Sequence, residues 1–196
     1  MRLLVTGASG LLGLNLCLVA EAQGHQVNGF YHSRALDGVP FDLYRVNLLK
    51  TQETIAKIEA IAPGAIIHCA ALADLNIAEQ KPDLAYQINA EAAGALAGAA
   101  VRMGVPFIHI STDAIFGGRP EGYSEEDSVN PRSVYAKTKL AGEEAVRLNY
   151  PDAIIARVVF YGWSLLGNRS LSEFFFNHLC LSQKMKGFTD VMFSPL

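Results

Sequence analysis

Short apolar segments alternate with helical patterns from the first residue onward, and this alternation constrains the fold more than any other feature. Residues 2–6, 26–31, 43–46, 65–69, 106–111 and 153–159 read as strands. Residues 11–23, 51–61, 83–103 and 134–149 carry apolar side chains at helical spacing, with Gly24, Pro63-Gly64 and Gly104 as stops. Strands this short and apolar are buried on both faces, which is the habit of a parallel sheet. Parallel neighbours need crossover helices, and those crossovers are right-handed. The expected fold is α/β, a Rossmann-like doubly wound parallel sheet.

Composition agrees. Hydrophobic residues make up 51% of the 196 and charged residues 18%, which excludes a disordered chain and implies a large core. The formal net charge of −3 gives no global attraction for phosphate backbones, so nucleic acid is not an expected partner. No apolar run approaches the ~18 residues a membrane helix needs. The opening MRLLVTGASG is interrupted by glycine and reads as structure rather than as a signal segment. Cys17, Cys69 and Cys180 are far apart and form no CxxC, so neither a disulfide framework nor a zinc site is expected. That cysteine usage suits a reducing cytoplasm.

The first strand runs directly into Thr6-Gly7-Ala8-Ser9-Gly10-Leu11-Leu12-Gly13. Glycines at 7, 10 and 13 allow a tight turn, a close approach to a pyrophosphate and tight helix–sheet packing, and the helix start offers free N–H groups to phosphate. The second strand ends in Tyr31-His32-Ser33-Arg34, with no carboxylate to bind a ribose 2′-hydroxyl. Ser33 and Arg34 suit a 2′-phosphate, hence a preference for NADP(H) over NAD(H).

Tyr135 and Lys139 stand at i and i+4 of an expected helix, so both side chains share one face. Ser111-Thr112 closes the strand at 106–111, where open α/β sheets place ligands. Reduction of a carbonyl leaves an alkoxide that must be protonated. A tyrosine can donate that proton, and an adjacent ammonium is expected to draw its pKa down towards the working range. A Thr112 hydroxyl would fix the substrate oxygen.

With these residues in place the sequence resembles the extended short-chain dehydrogenase/reductase family. The matching segments are TGASGLLG, HCAALAD, INAEA, STDAIFGG, YSEEDSVNPRSVYAKTKLAGEE and RVVFYG. Within it the stretch from STDAIFGG to LAGEE is most similar to dTDP-4-dehydrorhamnose reductases, whose fold is shared by regulatory beta subunits of methionine adenosyltransferase. The resemblance implies a nucleotide-sugar substrate, NADPH or NADH, Tyr135 as acid/base, Lys139 as its partner and Thr112 as the third member. It also implies cofactor contacts at Ala70, Ala71 and Leu72, and an arranging role near the cofactor for Asn89. Asn47-Leu48 stands where an aspartate and an apolar residue usually meet adenine, and Phe160 stands where the reductases often carry tryptophan. Residues 1–160 are expected to form the dinucleotide-binding domain. Residues 161–196 would begin a substrate-binding region that the family continues beyond Ser194-Pro195.

The remaining candidates have plainer readings. Asp113 is a site neighbour or a turn acid. His68 and His109 are core histidines with satisfied rings, Cys69 is a small buried hydrophobe, and Glu125-Glu126-Asp127 is a solvated loop. Phe174 to Phe176 are core or interface, and the small-residue run 92–100 suits close helix packing within the chain or across a homodimer. A reductase is the leading function. An epimerase or dehydratase of the same family would need further acid/base residues beside Thr112, and a nucleotide-binding regulatory subunit would need only the pocket.

Overall fold

The computed structural model describes residues 1–118, 122–164, 167 and 170–186. Six strands form one sheet: β1 (Arg2–Thr6), β2 (Gln26–Tyr31), β3 (Asp42–Arg45), β4 (Ala65–His68), β5 (Phe107–Thr112) and β6 (Ile154–Val158). Their order is β3-β2-β1-β4-β5-β6, and every pair is parallel. The order reverses between β1 and β4. A crevice opens there at the carboxyl ends of the strands, the usual ligand position in a sheet of this kind. The fold is Rossmann-like, as the alternation implies.

Strand alternation sends neighbouring residues of β1 to opposite faces. Leu4 joins Ile66, Phe107, Ile58, Leu96 and Val146 in one buried cluster, beneath α2 (Thr51–Ile61), α5 (Ala92–Met103) and α6 (Val134–Asn149). Leu3 and Val5 join Val27, Leu14 and Cys17 in another, beneath α1 (Leu11–Ala22). Alanine and glycine on α5 are spent inside the chain: a Cβ on Gly94 would stand 2.9 Å from Ala145 Cβ of α6.

The helix expected over 83–103 is more elaborate. A short α3 (Leu75–Gln80), capped by Asp74 through Ile77 N–H at 2.9 Å, precedes it. The helix then starts as α4 (Pro82–Tyr86), widens to a π-turn over Gln87–Glu91 and continues as α5. The widened turn carries Asn89. After β6 the chain forms α7 (Leu171–Cys180), opened by a Ser170/Glu173 capping box. Phe174, Phe175 and Phe176 are 43%, 37% and 51% exposed, so the core reading of these rings does not hold. Three consecutive helical positions point in three directions, and the helix has only one inward face.

Candidate active site

The glycine turn stands as the spacing implies. Gly7 adopts φ +70°, and a Cβ there would lie 2.8 Å from the Ala70 amide nitrogen, so only glycine fits. Gly10 caps α1 with its backbone and has no side chain over the helix start. The first amides of α1 therefore face the crevice without intrahelical partners. At Gly13 a Cβ would strike the Gly7 carbonyl, so the helix sits against the turn as closely as its chain allows. This cradle has the form and the donors that a pyrophosphate requires.

From the turn a cleft of about 410 Å³ runs along the strand ends. Gly7, Gly10, Leu11, Leu12 and Gly13 line one end, and Ser33 and Leu48 line the outer wall. Ala70, Ala71 and Phe160 line the inner wall, with Tyr135 and Lys139 at the far end. Arg34 lies outside this wall, beside Ser9 and Gly10 in a small recess at the start of α1. Asn47 faces its own turn, accepting from Leu49 N–H at 3.1 Å. Leu72 and Asn89 stand behind the inner wall: Asn89 Oδ1 accepts from Leu72 N–H at 2.8 Å, and Asn89 Nδ2 donates to Leu72 O at 3.2 Å and to Thr138 Oγ1 at 3.0 Å. Asn89 thus clamps the 70–72 segment to α6 from a fully buried position.

Helix α6 delivers Tyr135 and Lys139. Its first turn is held by Ser133, whose hydroxyl accepts from Ala136 N–H at 3.1 Å, and by Glu79, which accepts from Val134 N–H at 2.8 Å. Gly142 packs directly on the Asn89 carbonyl, which brings the helix down onto the π-turn. Thr112 is buried, and its hydroxyl favours the ionised form of the neighbouring Tyr135 phenol. It also donates to Asp113 Oδ1 at 3.2 Å and accepts from Ala114 N–H at 3.2 Å. Asp113 is therefore both a turn acid and a neighbour of the site.

The electrostatics differ from the expectation for Tyr135. Burial pushes the phenol above its ordinary range, against the Thr112 hydrogen bond, and the Asp113 carboxylate adds to the rise. The reason lies in Lys139, whose Nζ turns inward to Ile110 O at 2.6 Å and His109 Nε2 at 3.3 Å. The lysine is 2% exposed, and burial lowers its pKa to about 8 against the opposing pull of Glu143 and Cys69. Cys69 is pushed up to about 12 by burial, so its thiol is unreactive near neutrality.

Over residues 1–190 the sequence matches the family described as RmlD substrate binding domain. The chain belongs to this family. It is 39% identical to the "Probable low-salt glycan biosynthesis reductase Agl14" of Haloferax volcanii over 83% of its own length and 54% of that protein's. It is 38% identical to "Methionine adenosyltransferase 2 subunit beta" of Rattus norvegicus over 82% of this chain and 47% of that one. A solved dTDP-4-dehydrorhamnose reductase from Bacillus anthracis, in complex with NADP, superposes with a TM-score of 0.66 at 32% identity, over 83% of this chain and 56% of that one. The chain thus spans about half the length of the relatives it matches.

Three groups around this RmlD-type cleft, none of them in its lining, escape a motif reading. Arg45 pairs in register with Tyr31 and donates to His32 O at 3.1 Å, which puts a second guanidinium at the end of β2. Its signal was its place at the end of β3. Glu143 is fully buried, accepting from Ser111 Oγ at 2.6 Å and from Arg157 Nε and Nη2 at 3.0 and 2.7 Å. A glutamate four residues after Lys139 on the same helix face was the available signal. His68 and His109 are core residues, but each ring has one nitrogen without a partner among the described residues, so they are not satisfied rings.

Proposed function

We propose that this chain carries the cofactor and proton-transfer half of an NADP(H)-preferring reductase of keto-sugar nucleotides. The observation that supports it most is the joining of Thr112, Tyr135 and Lys139 to the far end of a cleft that begins at a glycine-lined helix start. Gly7, Gly10, Leu11, Leu12 and Gly13 would hold the pyrophosphate, and Leu48 the adenine side. Ser33 and Arg34, with Arg45 behind them, would face a 2′-phosphate. The wall of Ala70 and Ala71 would line the nicotinamide half, with Leu72 behind it tied to Asn89. When bound, the nicotinamide supplies the hydride.

The chain's own residues supply the rest. Burial keeps the Tyr135 phenol protonated at neutral pH, which suits a group that gives its proton to a nascent alkoxide. Thr112 is placed to bind the same oxygen and hold it near the phenol. Lys139 shares the Tyr135 face of α6 and lines the same cleft, where its ammonium would offer an N–H to the ribose. Relatives of the chain include dTDP-4-dehydrorhamnose reductases, which supports the same reading.

A second reading has one specific observation in its favour: the 38% identity to a methionine adenosyltransferase regulatory subunit. A nucleotide-binding regulatory subunit would use the cleft without the chemistry. The two part in one assay on a form spanning the relatives' whole length, in which NADPH oxidation is followed on addition of a 4-keto-sugar nucleotide. The reductase reading expects one NADPH consumed per sugar reduced; cofactor binding without any consumption would favour the regulatory one.

A further inference from the structure

The proposed reaction leaves unused two imidazoles at the centre of the molecule. His68 on β4 and His109 on β5 are register partners, 1% and 0% exposed. Their rings stack with centroids 5.4 Å apart and planes inclined by 21°. His68 Nδ1 lies 2.8 Å from Thr6 Oγ1, and His109 Nε2 lies 3.3 Å from Lys139 Nζ. His68 Nε2 and His109 Nδ1 have no hydrogen-bond partner among the described residues.

Charge decides the state of these rings. An imidazolium at His109 would be a second buried cation against Lys139. The nearest carboxylate on the helix above, Glu143, is already engaged by Arg157 and Ser111. Burial and the Lys139 charge both hold the two rings neutral. A neutral imidazole that receives an ammonium N–H at Nε2 carries its own proton on Nδ1. The ring cannot swing away, because it is stacked on His68 below and lies under Gly142 above, where a Cβ would stand 3.5 Å from His109 Nε2. An ammonium has three N–H bonds. Ile110 O takes one and His109 Nε2 another.

We infer that His109 is a positioning residue: as the neutral Nδ1–H tautomer it accepts a hydrogen bond from Lys139 and, with the Ile110 carbonyl, leaves that lysine a single N–H for the cleft. The inference rests on the proposed partnership of Lys139 with Tyr135. It explains why an ammonium so deeply buried keeps a fixed direction, and why the unpartnered nitrogen of His109 is the one facing away from the lysine. The other ionisable groups around Lys139 are His68 from β4, Cys69 after it, Asp113 after β5, and Tyr135 and Glu143 on α6 itself. None of them takes a hydrogen bond from Nζ. A hydrogen bond accepted from the charged form favours that form, so losing His109 should make Lys139 easier to deprotonate.

The test is nitrogen NMR on the chain, reading the histidine ring nitrogens and Lys139 Nζ. In the parent, His109 should be protonated at Nδ1 and bare at Nε2 from about pH 6 to about pH 7, where Lys139 is charged. His109→Phe keeps a ring against His68 but removes the acceptor, and the Lys139 titration midpoint should fall by about one pH unit. His109→Gln, with an amide oxygen as acceptor, should restore most of that fall. A proton on His109 Nε2 in the parent, or one Lys139 midpoint shared by parent and His109→Phe, overturns the inference. The tautomer alone decides if the variants do not fold. NADPH titration of the same parent sample is read separately: no binding there would overturn the reading of the cleft while leaving the His109–Lys139 measurement intact.

Discussion

Tyr135 and Arg34 carry the two residue-level claims that matter most. Tyr135 stands on a capped helix turn beside Thr112 and is kept protonated by burial. Tyr135→Phe keeps the ring and removes only the donor. Steady-state kinetics should show turnover lower by ~100-fold or more. NADPH affinity should change by less than about threefold. Near-normal turnover would remove Tyr135 from its role. Arg34 sits half-buried beside the glycine turn, and among the described residues it forms no ion pair. A charge-assisted contact is worth ~1.5–3 kcal/mol, so Arg34→Ala should weaken NADPH by roughly 10- to 100-fold and leave NADH little changed. Parallel calorimetric titrations with the two cofactors check this, and equal weakening of both would assign the 2′-phosphate elsewhere.

Helix α6 is the element on which the site depends. It presents Tyr135, Thr138, Lys139, Gly142 and Glu143 within about two and a half turns, with Thr138 and Gly142 both set against Asn89. Glu143 ties it to β5 through Ser111 and to β6 through Arg157. Arg157 in turn holds the loop after β5, donating to Glu125 O at 3.2 Å and lying over the Phe116 ring. Glu143→Gln leaves a guanidinium largely buried without its carboxylate. Urea denaturation should show a loss of about 3–5 kcal/mol, part of it recovered when Arg157→Leu is added. An unchanged midpoint in the single variant would mean that the pair contributes little.

The elements with local signals were readable from the sequence: α2 has the expected bounds, and the strands agree to within a residue or two. The π-turn at Gln87–Glu91 was not, because its register is set by contacts distant in sequence. Asn89 bonds Leu72 and Thr138, and its carbonyl rests on Gly142. Likewise the YxxxK pair and the glycine turn were legible as spacings, whereas the inward turn of Lys139 depends on the depth at which α6 crosses β5. No spacing carries that information. The rise of the Tyr135 pKa is a consequence of the same depth.

At the scale of the whole molecule the buried histidines govern the acid limb. Unfolded histidine titrates near 6.5, while burial lowers His68 to about 3 and moves His109 the same way. Below pH 6.5 the unfolded chain therefore binds more protons than the folded one, and stability falls as pH falls. His68 alone should account for about 2 kcal/mol between pH 6.5 and pH 4.5, and His109 adds to it. Urea midpoints over that range should drop steeply in the parent and much less in a His68→Phe/His109→Phe variant; parallel slopes would mean that the rings are not held neutral.

The central claim is that the crevice between β1 and β4 is a dinucleotide site whose far end is Tyr135 and Lys139. Calorimetric titration of the chain with NADPH tests it most directly, beside a Gly13→Val variant in which the branched side chain would meet the Gly7 carbonyl. The account predicts saturable binding of one NADPH per chain, tighter than that of NADH and lost in the variant. No saturable binding to the folded parent chain would contradict it.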